Sequence, residues 1–158
     1  MRAAVLKSVR GPAWVLVGAL AGVAAVGCAA RGGDLAAVDG GDRYGAESAE
    51  VAIGRFLDAA RLRDYPAMAR LFGTAEGPAE RRWGRVETER RMFVLASLLA
   101  PRAYGLRSNP VSEAGGASRW MVDLAGTRNG DVSLPFIVTS QGDRWFVERI
   151  VTEGLRAP

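Results

Sequence analysis

SRWMVDLAGTRNGDVSLPFIVTSQGDRWFVERIVTE, residues 118–153, alternates apolar and polar side chains with a period of two and so reads as a series of β-strands. Ser118 to Thr127 puts Trp120, Val122 and Leu124 on one face, and Asp131 to Ser140 does the same with Val132, Leu134, Phe136 and Val138. Asn129-Gly130 between them signals a hairpin, because both central positions of a type I′ turn need positive φ. Gln141-Gly142-Asp143 turns the chain into a last strand, Arg144 to Glu153, carrying Trp145 and Val147. Three antiparallel strands in succession form a meander with one apolar face, which must be covered by something else in the chain.

The cover lies upstream. Tyr104 to Glu113 reads as a weaker first strand, and Pro110 places it at an edge or a bulge. Before Pro101 the apolar period is helical. Ala49, Ala52, Ile53, Phe56, Leu57 and Ala60 share one stripe, Ser48 offers an N-cap and Glu50 suits the first turn, which predicts a helix from Ser48 to Arg63. Asp64 caps a second short helix with Pro66 in its first turn and Met68, Ala69, Leu71 and Phe72 on its apolar side. GTAEGP, residues 73–78, ends it. A third helix runs from Ala79 or Arg85 to Leu99, where Met92, Leu95, Ala96 and Leu99 keep the period. Its arginines at 81, 82, 85, 90 and 91 mix with Glu80, Glu87 and Glu89, and Glu87 is spaced to pair with Arg91. The mixed signs read as a solvated, ion-paired face, with an anionic-lipid or phosphate patch as the alternative. The expected fold is therefore α+β: two or three N-terminal helices on an antiparallel sheet of about four strands, in one domain over residues 47–153 with a tail at 154–158.

Residues 1–27 carry an address. Arg2, Lys7 and Arg10 precede the uncharged run AWVLVGALAGVAAVG, 15 residues from Ala13 to Gly27, and small residues lead into Cys28, the only cysteine. A membrane-spanning helix needs roughly 20 apolar residues, so the run fits a secretory signal better than a permanent span. Ala25-Val26-Gly27-Cys28 resembles the lipobox of bacterial lipoproteins. That resemblance implies cleavage between Gly27 and Cys28, diacylglycerol and further acylation at Cys28, and attachment to a membrane; in an organism with an outer membrane, Ala29 and Ala30 in place of an aspartate favour its periplasmic face. An ordinary signal cut elsewhere and an uncleaved anchor remain the alternatives. Gly- and Asp-rich residues 29–46 read as a tether, so 28–46 is expected to be lipidated cysteine and linker.

Composition narrows the chemistry. The net charge of +4 includes three basic residues of the signal, and the remaining 18 bases face 17 acids, a net charge of +1 that gives no reason to expect a nucleic-acid partner. There is no histidine, and Cys28 is assigned to lipid, so the common proton shuttle and the common soft metal ligands are missing. No metal-ligand spacing, glycine-rich phosphate loop or paired nucleophile and base occurs, and no cofactor is expected.

FLDAARLRDYPAMARLF, Phe56 to Phe72, and DRWFVERI, Asp143 to Ile150, resemble the opening helices and closing strand of the nuclear-transport-factor-two-like superfamily. The resemblance implies a sheet curled around the helices into a cone-shaped α+β roll, and it brings homodimerisation with it as one option. Within it Asp64, Tyr65 and Trp145 read as a cap, a ring over the helix junction and a core aromatic. The expected function is a lipid-anchored envelope protein whose domain binds a partner protein or an apolar ligand without catalysis, with Trp83, Met121 and Phe146 as candidate contact residues. The alternative is a small enzyme of the ketosteroid-isomerase-like type, for which Tyr104, Asp123 and Glu148 are the candidates. Strand alternation points both of these carboxylates away from the helices.

Overall fold

The computed structural model describes residues 43–153 and Leu155. The signal, Cys28 and all of the expected tether before Arg43 lie outside the described residues. Among the described residues the fold is α+β, with four α-helices and an antiparallel sheet of five strands.

Helix α1, Ala49–Leu62, starts where Ser48 accepts a hydrogen bond from the Val51 amide at 3.3 Å, and it ends at Arg63, whose left-handed φ of 58° closes the last turn. Asp64 then accepts from the Ala67 amide at 2.9 Å and opens α2, Tyr65–Leu71. The expected third helix is two helices, α3 over Glu80–Trp83 and α4 over Arg85–Leu99. Gly84 separates them because its φ of 75° and ψ of 161° are non-helical and open to glycine alone at low cost. Between α2 and α3, residues expected only to end a helix form a small hairpin of β1, Gly73–Thr74, and β2, Gly77–Pro78.

The sheet comprises β3, Ala103–Leu106; β4, Val111–Ser112; β5, Ser118–Thr127; β6, Gly130–Gln141; and β7, Arg144–Ile150. Its order is β3-β5-β6-β7, with β4 pairing the start of β5. The weak first strand is thus two strands on one neighbour, Leu106 opposite Val122 and Val111 opposite Arg119, with Pro110 in the gap. Alternation places Trp120, Val122, Leu124, Leu134, Phe136 and Val138 inward against Ile53, Phe56 and Leu57 of α1, and all of these are buried.

Three expectations need correction. The Asn129-Gly130 hairpin forms, but its turn residues are Arg128 and Asn129, neither with positive φ, between the paired Thr127 and Gly130; the bulge precedes the turn, where the register shifts between Leu124 and Thr127 and Gly126 has a φ of 67°. Thr127 accepts from the Asn129 amide at 3.2 Å and donates to the Gly130 carbonyl at 2.6 Å, which stabilises that form over type I′. The tether stops earlier than Ala46, because Ala46 is fully buried and exchanges hydrogen bonds with Trp145 at 2.8 and 2.9 Å. Phe146 is no surface residue: it is 1% exposed, against Gly45 and Gly73. Those two glycines cover the side of β7 that strict alternation would leave open, and a register shift opposite Ile137 and Val138 adds a bulge.

Candidate functional site

Beside the edge strand β7 lies a cleft of about 270 Å³, lined by Phe72, the 73–78 hairpin, α3 and Glu148. Its position follows from two backbone accommodations. Phe72 forms a parallel bridge with Val147, which lays the chain along the sheet edge. Gly73 then passes so near Gly77 that an added Cβ would meet the Gly77 carbonyl oxygen at 2.6 Å, so the hairpin closes only with glycine there. The Gln141 side chain donates to the Glu76 carbonyl at 2.9 Å and ties the hairpin tip to the end of β6.

Trp83 forms one wall. Its ring lies 6.1 Å from that of Phe72, which lies 6.2 Å from the fully buried Phe56, so a row of three rings runs from the core to the cleft. The Arg91 guanidinium sits 4.1 Å from the Trp83 ring centre, and Glu87 holds Arg91 by the i, i+4 ion pair that the spacing predicts, at 3.0 Å. Pro78 and Ala79 add apolar surface, while Arg81, Arg82, Glu76 and Glu148 supply charge of both signs at the rim. Glu76 is held ionised below the usual carboxylate range, first by the Thr74 hydroxyl and then by its own amide. The cleft can therefore hold a compact apolar group and orient a ligand that carries charge.

The sequence candidates do not converge. Trp83 and Glu148 meet in the cleft, Met121 lies on the outer face of the sheet opposite Pro135, and Phe146 is buried. No common patch unites Trp83, Met121 and Phe146. Tyr104 faces α1, where its hydroxyl is 3.3 Å from both the Gly54 carbonyl and Asp58 Oδ2. Burial, then the Asp58 charge and hydrogen bond, push its pKa up to about 12, so it stays a neutral phenol. Asp58, its half-buried carboxylate partner, has no signal in the sequence, because it lies off the apolar stripe of an ordinary amphipathic helix.

Asp123 lies on the outer face, as alternation predicts, beside a hollow of about 360 Å³ floored by Ala103, Gly105 and Ala125. Arg107 grips it through two nitrogens at 2.8 and 3.1 Å and Ser133 donates to it, which lowers its pKa to about 2. Such a carboxylate is a poor proton acceptor. Its contribution to stability is present above its ordinary value of 3.8 and is lost as pH falls through about 2. A carboxyl-carbon NMR titration is expected to place Asp123 near that low value, and Arg107→Ala is expected to move it back toward the ordinary one.

Among the described residues no three His, Cys, Asp or Glu side chains gather to hold a metal ion. No described helix is long and apolar enough to cross a membrane. No known protein family, curated protein or solved structure matches the chain.

Proposed function

We propose that the protein is a lipid-anchored component of a bacterial envelope whose domain holds an apolar group of a ligand or partner in the Trp83 cleft, without chemical conversion. The cleft is the observation that carries this reading: an aromatic wall backed by Phe72 and Phe56, an apolar floor, and a rim of separated charges. Rings seated on a packed core lose little freedom when a ligand arrives, which favours binding. The lipobox-like residues 25–28 supply the anchor in this reading. Helices followed by a meander support the nuclear-transport-factor-two-like roll, with its interior filled by Phe56, Phe136 and Val122 and its binding site at the flank.

The isomerase-like alternative needs a deep pocket in the cone with Asp123, Glu148 or Tyr104 turned inward. Tyr104 and Asp123 both border the hollow on the outer face, but the Tyr104 hydroxyl turns to α1, Asp123 is gripped by Arg107 and Glu148 lies at the edge cleft, so neither of these carboxylates faces the interior of the cone.

The test is a titration with indole carboxylates and short aromatic dipeptides, followed through the indole N–H resonance of Trp83. A saturable shift is expected at Trp83, and Trp83→Ala is expected to weaken binding at least about tenfold, the usual result for an aromatic anchor. Arg82→Ala, at the exposed rim, should weaken the acidic probes while leaving the fold intact. Undiminished affinity in Trp83→Ala would place binding elsewhere.

A further inference from the structure

Helix α4 has two apolar faces. Thr88, Met92, Ala96 and Leu99 are buried against the domain. On the opposite side Val86, Arg90 and Val94 form one row at four-residue spacing with Phe93 beside it, and Val86, Val94 and Phe93 are 83%, 54% and 53% exposed. A helix that is apolar on both sides is built to be covered on both.

Glu87 and Glu89 beside this face are each taken up by an ion pair, with Arg91 and Arg85, and its C-terminal end is basic. A groove of about 350 Å³ next to Phe93 is lined by Arg63, Tyr65, Ser97 and Arg128 with no carboxylate. Arg63, Arg90 and Arg128 have no acidic partner within ion-pair distance among the described residues, unlike Arg85 and Arg91, which pair with Glu89 and Glu87. The chain also enters the domain close to α4: Tyr44 donates to Glu80 at 2.8 Å and shares a hollow with Arg85. From Cys28 to Arg43 is 15 residues, which span at most about 50 Å.

We propose that the outer face of α4, with Arg63, Arg90 and Arg128, is a docking surface for an anionic bilayer, the one that holds the chain's own anchor. The proposal rests on reading Cys28 as that lipidated anchor. Val86, Phe93 and Val94 enter the boundary between headgroups and acyl chains, and the three free guanidiniums meet lipid phosphates. A short connection keeps the surface at high local concentration, so three apolar side chains suffice where they would not hold a free domain. A second copy fits the face less well. A two-fold axis at the middle of the row would set Arg90 against Arg90.

The test reconstitutes the chain as processed and lipidated in a membrane fraction into vesicles, with an environment-sensitive fluorescent amino acid in place of Val94. The control carries it in place of Arg119, on the sheet face turned away from the helices. On vesicles of phosphatidylglycerol and phosphatidylcholine, position 94 is expected to shift its emission to the blue and lose quenching by aqueous iodide, with position 119 unchanged. Pure phosphatidylcholine, or the combined Arg63→Glu, Arg90→Glu and Arg128→Glu variant with an unaltered circular dichroism spectrum, is expected to abolish the shift. Protein that floats with anionic vesicles while position 94 stays aqueous overturns the docking surface and leaves the anchor standing. A shift that is equal on both vesicle types and grows with protein density assigns the face to a second copy and overturns the proposal. Failure to float with any vesicle removes the anchor, and the proposal with it.

Discussion

Phe56→Ala is expected to lower the stability of the domain by about 3–5 kcal/mol, the range for deleting a fully buried phenylalanine. Phe56 is completely inaccessible, on the α1 face that meets the sheet, and it is the inner ring of the row that continues through Phe72 to Trp83. The substitution removes apolar area and leaves a cavity that helix and sheet, both pinned by backbone hydrogen bonds, fill only in part. For a domain of this size the loss corresponds to a fall in Tm on the order of 15 °C. Urea unfolding of the two chains measures it. Phe72→Ala, half-buried, should cost less but should loosen Trp83 as well. A loss below about 1 kcal/mol for Phe56→Ala would mean that the interface between α1 and the sheet is not the main core.

Gly73→Ala should cost about 1–3 kcal/mol for a single added methyl, the usual range for forced overpacking. The new Cβ would meet the Gly77 carbonyl oxygen at 2.6 Å and the Phe146 ring at 2.9 Å, and the first of these is backbone that cannot rotate away. The hairpin must open, which moves Pro78 and Ala79 off the cleft floor. Loss of stability and loss of probe binding should therefore appear together. Gly105→Ala is the companion, because its added Cβ meets nothing within 4 Å, and a change within about 0.5 kcal/mol is expected there. Equal effects at both glycines would show that backbone entropy, rather than the close approach at Gly73, governs the result.

Local signals in the sequence carry most of the framework. Ser48, Asp64 and the stripe from Ala49 to Ala60 set where α1 and α2 begin, and the period of two sets β5 and β6, because each depends only on neighbours along the chain. The cleft was scarcely legible. It depends on two-residue strands, a single bridge from Phe72 to Val147 and a close approach of Gly73 to Gly77, none of which leaves a periodic trace. Trp83 was visible as an aromatic without a place on the core face, and Glu148 as a carboxylate out of step; their meeting depends on a long-range fold-back. Phe146 misled because strict alternation treats the far side of β7 as open, whereas Gly45 and Gly73 cover it. The outer row of α4 stood in the sequence at four-residue spacing, hidden among charges of both signs.

The pairing of Ala46 with Trp145 also decides how the domain bears mechanical load. Tension arriving along the chain from residue 42 meets first the Tyr44 contact with Glu80, then the Gly45 amide bonded to the Arg70 carbonyl, then the two Ala46–Trp145 hydrogen bonds. These few bonds at the sheet edge are loaded one after another, so the segment peels away from β7 before force reaches α1. The peeled residues lengthen the connection by a few residues, about 10 Å at full extension, while Ser48 still caps the helix. Peeling also takes the fully buried Ala46 out of the core and lifts Gly45 off the Phe146 ring, so the buried contact of this stretch resists the pull together with its hydrogen bonds.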